Sequence, residues 1–211
     1  MNPWLTIWTQ PRATIAEIVR ENPNRSIWWL SAIYGFSSIL NSFQTALLGN
    51  KLNIAAIFLI AIVLCPIWGY ISFSIWSWVV SFTGKLFKGA GTFKEIRAAY
   101  AWSCVPLIVN VLLWFLLAAL FGRALFTEMK ETQTFTQAQV TLLFGILIIR
   151  IAVAIWSIVI YLNALAEVQK YSVLRAIGNV IVAAVIVAIF FYLLLLIGFS
   201  GVTATNLRWS L

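Results

Sequence analysis

The sequence predicts an all-α membrane protein, a polytopic helical bundle of five transmembrane helices with an N-terminal amphipathic helix at the membrane surface. Three observations predict this fold class. Of the 211 residues, 63% are hydrophobic and only 9% are charged, whereas soluble domains carry about 25% charged residues. The apolar residues fall in runs longer than a globular core needs. Finally, the sequence contains 11 tryptophans, and tryptophan favours membrane–water interfaces.

Residues 1–26 form the first predicted segment. Pro11 is suited to open a helix, and Thr14 with Glu17 has the spacing of a capping box. Together with the apolar residues of this segment, these signals describe an amphipathic helix lying on the membrane. It serves either as a plain anchor for the first span or as a docking element or bilayer sensor. The apolar residues concerned are Trp4, Trp8, Ile15, Ile18 and Val19.

Five apolar runs follow, each at or above the roughly 20 residues needed to cross about 30 Å of hydrocarbon. As a helix the second run would be about 43 Å long, so we expect it to tilt, kink or enter the interface, with Pro66 and Gly69 at the kink. The five spans constitute one membrane domain, residues 27–200, followed by a short external tail, residues 201–211. The runs cover residues 27–48, 54–82, 99–121, 140–162 and 176–199.

Small residues form a stripe along the first run. They recur at steps of three and four residues, which places them on one face of a helix. Such a face permits close contact with a neighbouring membrane helix, and we expect packing here rather than a pore. The stripe comprises Ser31, Gly35, Ser38 and Ser42.

The distribution of Lys and Arg predicts the orientation. With five spans, nine basic residues fall on the side of the N-terminus and four on the other side. The positive-inside rule therefore predicts a cytoplasmic N-terminus and an external C-terminus. The tryptophans favour the same side, because seven map to the predicted cytoplasmic boundary: Trp4, Trp8, Trp28, Trp29, Trp76, Trp78 and Trp102.

The composition also excludes several kinds of site. The chain has no His and no Asp, so catalytic triads or dyads that use either residue are unavailable. Cys65 and Cys104 lie in apolar runs without a second ligand nearby, and we expect buried, reduced thiols. The sequence therefore predicts no enzyme, no metal centre and no bound cofactor.

Arg150 is the most informative single residue, because it is the eleventh of 23 residues in the fourth run and so lies near the bilayer centre. A central Arg costs at least about 2.5 to 3.5 kcal/mol on insertion scales and should face protein or water. Asn41, Gln44 and Asn110 fall at comparable depth, and Pro66 frees a backbone carbonyl. This candidate buried polar site is either a structural cluster joining helices or a site for an anion or lipid headgroup.

A basic, glycine-rich segment precedes the third run. Its glycines permit turns, and Thr92 with Glu95 has the spacing of a capping box. The order of glycines and lysine does not suit a phosphate-binding P-loop, and we predict neither nucleotide nor nucleic acid as a partner. Its four basic residues are instead predicted to contact anionic lipid headgroups: Lys85, Lys88, Lys94 and Arg97.

The order of these features resembles the Yip family, small membrane proteins named for interaction with Ypt/Rab GTPases, and specifically its short bacterial-type members. The resemblance implies five spans, a cytoplasmic N-terminus in a bacterial inner membrane, and an adaptor role in membrane traffic or organisation without established catalytic residues. Having no Asp, the chain lacks the Asp-Leu-Tyr-Gly-Pro motif of eukaryotic members. The resemblance is carried by residues 2–4, Trp8, residues 11–15, 84–95, 100–106 and 167–176.

Two functions are consistent with these features. The first is a non-enzymatic scaffold or adaptor that binds protein or lipid partners. The alternative is a small carrier or lipid-handling protein that uses the polar site around Arg150. A carrier is expected to show two internal repeats, and five spans do not divide into equal halves, although a homo-oligomer would restore symmetry. The expected partners are membrane lipids, anionic ones included, and a protein partner or a second copy of the chain.

A topology measurement tests the predicted orientation. We expect a reporter fused before Met1 to be cytoplasmic and one fused after Leu211 to be external, because basic residues and tryptophans concentrate on the N-terminal side. The measurement is the accessibility of each reporter in intact cells. Two reporters on the same side would contradict an odd number of spans.

Overall fold

The computed structural model describes residues 2–128 and 135–208, with side chains as far as residue 196. All regular structure in these residues is helical, as predicted. The last described helix extends into the predicted tail, residues 201–211, and ends at Arg208. The last three residues of the tail lie outside the described part, and so does Lys130. The α-helices are α1 (Pro3–Thr6), α2 (Pro11–Glu21), α3 (Ile27–Thr45), α4 (Ile54–Gly84), α5 (Phe93–Ser103), α6 (Ile108–Phe121), α7 (Gln137–Gln169) and α8 (Val173–Arg208).

Four helical stretches in the described residues are long and apolar enough to cross a membrane: Ile54–Phe87, Phe93–Phe126, Gln137–Gln169 and Val173–Leu196. They indicate a multi-pass membrane protein. Helix α3 corresponds to the first predicted run but is not among the four. Serine, asparagine and glutamine lower its hydropathy, so the count of five spans stays a prediction.

Helices α3 and α4 lie in direct backbone contact. A Cβ atom added to Gly35 would lie 2.0 Å from the Cys65 carbonyl oxygen, and one added to Gly69 would lie 2.0 Å from the Ser31 carbonyl oxygen. The two helices therefore touch at two points, one turn apart, where only glycine leaves room. The Trp68 indole Nε1 also donates to Ser38 Oγ at 3.1 Å. The predicted stripe of small residues is thus the face that packs on α4.

Two prolines lie within the long apolar runs. Helix α4 continues through Pro66 as one helix, and the kink expected there stays a prediction. In the third run, α5 ends at Ser103 and a 3₁₀ turn over Val105–Leu107 precedes α6. Pro106 lies in this turn, and because proline has no N–H to continue the α-helical pattern, the α-helical hydrogen bonds are interrupted between α5 and α6.

Helix α2 packs against the bundle. Ile15 and Ile18 are both fully buried, in the same core cluster as residues of α5 and α7. The apolar face predicted for the membrane interface is therefore covered in part by protein, and its place at the interface stays a prediction. The predicted capping box is not used, since α2 begins at Pro11, and Thr14 is buried with its hydroxyl donating to Thr6 Oγ1 at 2.9 Å.

The loops at one end of the bundle carry most of the basic residues. This end is assembled by contacts of helices with loops, such as that of Arg97 in α5 with Asn24 and that of Gln169 in α7 with Gly91. We call it the basic end. Its exposed basic side chains are Arg12, Arg20, Arg25, Lys85, Lys88, Lys94, Lys170 and Arg175.

The glycine contact between α3 and α4 generates a stability prediction. We expect Gly35→Ala and Gly69→Ala each to destabilise the fold by about 1 to 3 kcal/mol, because the added methyl group meets backbone that cannot rotate away. Gly145→Ala, on α7, is the matched control, since nothing lies within 4 Å of its added Cβ atom. The melting temperature of the purified protein in detergent is the measurement. Equal melting temperatures for all three variants would contradict the backbone contact.

Candidate functional site

Arg150 lies on α7 with its guanidinium over an aromatic ring of α6. The guanidinium carbon is 4.7 Å from the centroid of Trp114, a fully buried tryptophan. Its Nε and Nη2 atoms are buried and have no hydrogen-bond partner. The cation is thus held by a cation–π contact, while two of its donors remain unsatisfied, a costly arrangement in a buried site.

The predicted partners of Arg150 have different surroundings. Asn110 lies four residues before Trp114 and so shares its face of α6, and its buried Oδ1 atom has no hydrogen-bond partner. Gln44 instead donates to the Leu125 carbonyl oxygen at 3.1 Å, and Asn41 is exposed. The sequence suggested Asn41 and Gln44 because they fall at a depth in the membrane comparable to that of Arg150. In the structure, α3 packs along α4 rather than beside α7.

The carbonyl released by Pro66 is also used elsewhere. Proline removes the hydrogen bond to the residue four positions earlier, which is Ile62. The Cys65 thiol donates to the Ile62 carbonyl oxygen at 3.1 Å. This carbonyl therefore has a partner within α4.

The four basic residues predicted to contact headgroups divide into two groups. Lys85, Lys88 and Lys94 are exposed at the basic end. Arg97 departs from the expectation, since it is only 7% exposed. Its guanidinium donates to the Tyr70 hydroxyl at 2.7 Å and to Asn24 Oδ1 at 2.9 Å. Arg97 therefore joins α5 to α4 and to the loop before α3.

The glycine-rich turn that carries two of the lysines is held by Gln169, the last residue of α7. Its side-chain Oε1 accepts from the Gly91 amide at 3.0 Å, and its carbonyl oxygen accepts from the Ala90 amide at 3.1 Å. A Cβ atom at Gly84 or Gly89 would lie 2.4 or 2.2 Å from the Gln169 amide group. Two of the three glycines thus make room for a side chain from another helix.

A second buried amide, Asn179, fixes α8 at the same end. It is fully buried, and its Oδ1 accepts from the Thr83 hydroxyl. Its Nδ2 donates to the Val80 carbonyl oxygen at 3.3 Å and lies 3.0 Å from the Tyr171 hydroxyl. Burial raises the pKa of Tyr171, while its hydrogen bond with Asn179 acts in the opposite direction, and the phenol stays protonated at neutral pH.

The sequence analysis did not single out Gln169 or Asn179. A signal was present for Asn179, because an amide within a predicted span has to find a hydrogen-bond partner. For Gln169, at the end of a helix, the sequence offers no such signal. Gln169 positions the lysine-bearing turn, and Asn179 joins α8 to α4.

The chemistry of these groups suits binding. Cys65 and Cys104 are both buried and free, which confirms the expected reduced thiols. Within the described residues, no group of three or more His, Cys, Asp or Glu side chains could hold a metal ion. Most accessible charged groups at the basic end are lysine and arginine side chains, which attract anions and acidic surfaces. Two of them, Arg25 and Lys170, form ion pairs with Glu21 and Glu167.

Comparison with known proteins supplies the family. A family model described as the Yip1 domain matches residues 5–197. Comparisons with curated proteins and with solved structures give no significant match. Members of the matching family are generally non-enzymatic membrane proteins. Because the match covers most of the 211 residues, the resemblance inferred from the sequence is confirmed, and the chain belongs to the Yip1 domain family.

Proposed function

We propose that this protein is a non-enzymatic membrane scaffold or adaptor, which binds protein or lipid partners in membrane organisation or trafficking. The observation that carries the proposal is the presentation of Lys85 and Lys88 on a turn held in place by the buried Gln169, with Lys94 exposed in the first turn of the following helix α5. A turn with fixed conformation loses less entropy when it binds than a flexible one does.

The local backbone supports this presentation. Lys88 adopts a left-handed conformation, with φ 58°, and its amide donates to the Lys85 carbonyl oxygen at 3.1 Å. The next amide, of Gly89, donates to the Gly84 carbonyl oxygen at 3.0 Å. The carboxylate of Glu95 accepts from the Thr92 amide at 2.7 Å and completes the predicted capping box. The acid nearest in sequence to the lysines is therefore engaged by backbone.

The proposal includes five spans, with α3 as the first. At 1.5 Å per residue, its 19 residues extend about 28 Å, close to the thickness of the hydrocarbon layer. Its contact with α4 at Gly35 and Gly69 lies in the middle part of α3. With five spans the termini lie on opposite sides, and by the positive-inside rule the basic end faces the cytoplasm. The proposed location is a bacterial inner membrane, as the resemblance to short bacterial-type members implies.

A second candidate function is a small carrier or lipid-handling protein. The observation that favours it is the pair of unpartnered donors on Arg150, together with the unpartnered acceptor on Asn110. An anionic group entering the bundle would accept from the Arg150 donors, and a hydroxyl of a polar headgroup would donate to the Asn110 acceptor. Without such a ligand, they form a structural cluster whose hydrogen bonds are incomplete.

Removal of the three lysine charges tests the scaffold proposal. We expect the combined variant Lys85→Gln, Lys88→Gln, Lys94→Gln to retain less anionic lipid and less partner protein, by about fivefold for each charge on the membrane surface. Affinity capture in native lipid, with quantification of both, is the measurement. Lys51→Gln, an exposed lysine in the turn after α3, is the control. Equal capture by the wild type and the triple variant would count against the proposal.

A series at Arg150 tests the second candidate. If an anionic lipid is the partner, it should raise the melting temperature of the wild type through mass action. Arg150→Ala should lose this effect. Arg150→Lys should retain part of it, because lysine keeps the charge but lacks the planar fork of the guanidinium. Melting temperatures across a panel of anionic lipids are the measurement. In a structural cluster, the lipid response of all three proteins would be identical.

A further inference from the structure

A groove separates the N-terminal segment from α7 at the basic end. It has a volume of about 640 Å³, within the range of roughly 300 to 1,000 Å³ typical of small-molecule sites. One wall is formed by residues 8–13 and the other by Trp156, Val159, Ile160 and Asn163 of α7.

The polarity of the α7 wall changes along the helix. Asn163, near the end of α7, contributes the polar part, and Trp156 lies seven residues closer to the middle of the helix. This separation corresponds to about 10 Å. Trp156 is 44% exposed and Val159 lies between the two. The groove is therefore polar at its outer end and apolar toward the interior of the membrane.

The N-terminal wall has the same order of groups. Arg12 faces Asn163, with its Nε atom 3.3 Å from the Asn163 Oδ1 acceptor. This hydrogen bond uses one of the five donors of a guanidinium. The Trp8 indole supplies apolar surface and is held in place because its Nε1 donates to the Trp4 carbonyl oxygen at 3.1 Å.

Charge determines which ligand suits the polar end. None of the residues that line the groove is acidic, so within its walls the charge of Arg12 is not neutralised. A phosphate group matches a guanidinium in charge and geometry. A soluble phosphate would leave the apolar part of the groove empty, whereas a phospholipid would fill both parts.

From these observations we propose that the groove binds a single anionic phospholipid, with its phosphate at Arg12 and Asn163 and an acyl chain along Trp156 and Val159. The proposal depends on insertion of the protein in a membrane and not on the scaffold function. It concerns a surface separate from the lysine-bearing turn.

Lipid binding by the full chain tests the proposal. The purified protein, stripped of lipid in detergent, is titrated with phosphatidylglycerol or with phosphatidylcholine of the same acyl chains, and bound lipid is counted by native mass spectrometry. We expect Arg12→Gln to weaken phosphatidylglycerol binding about five- to tenfold. Arg20→Gln, an equal loss of charge on α2 outside the groove, should bind as the wild type does.

Two further arms separate the lipid from other ligands and from other sites. Trp156→Ala should weaken phosphatidylglycerol binding, while Trp78→Ala, an exposed tryptophan of α4, should not. Free glycerol phosphate should bind far more weakly than phosphatidylglycerol. The triple lysine variant should keep this one tightly bound lipid, which distinguishes failure here from failure of the scaffold proposal.

Three results would overturn the inference. The first is equal phosphatidylglycerol binding by Arg12→Gln and Arg20→Gln, and the second is equal binding of the two lipids by the wild type. The third is glycerol phosphate binding as tight as that of the lipid. Circular dichroism of each variant verifies that helical content is retained, and Asn163→Ala provides a second probe of the polar end, with weaker binding expected.

Discussion

The contact of α3 with α4 is the constraint on which the arrangement of the bundle depends. Two helices without side chains between them at Gly35 and Gly69 lie closer than any other residue type would allow. The contact fixes the register of α3 against α4, and therefore the position of everything attached to either helix. At both glycines an added methyl group would meet backbone of the other helix, which is why these two positions tolerate no larger residue.

The basic end shows the consequence of this register. Tyr70, adjacent to Gly69, stacks on Trp28 of α3 with ring centroids 5.0 Å apart. Its hydroxyl accepts from Arg97, which also binds Asn24 in the loop before α3. A buried arginine is tolerated here because three elements supply it with acceptors and aromatic faces. The loop, α3, α4 and α5 are thereby joined around one cation.

Buried polar groups at the basic end differ in their hydrogen bonding from those near the middle of the bundle. At the basic end, Gln169 and Asn179 bond to backbone and to other side chains and so position the lysine-bearing turn and α8. Near the middle of the bundle, Arg150 and Asn110 retain unpartnered atoms. In the first group, Asn179 bonds through both of its side-chain polar atoms, and Gln169 leaves only its Nε2 atom without a partner. In the second group, Arg150 is supported by stacking on Trp114, and more of its polar atoms would gain a partner from a bound ligand.

By itself the sequence determined that the chain is all-helical and resides in a membrane, because the length and apolarity of the runs follow directly from the thickness and polarity of the bilayer. The order of its motifs also carried the resemblance to the Yip family. The sequence also predicted the small-residue face at Gly35 and the capping box at Thr92. Only the tertiary structure decided that Arg97 is buried, that a 3₁₀ turn at Pro106 interrupts the third run, that Trp102 lies in the core, and that Arg12 faces Asn163 across a groove. Hydropathy and spacing give the depth of a residue and its face on its own helix. They do not give the neighbouring helix, which depends on how side chains far apart in the chain fit together.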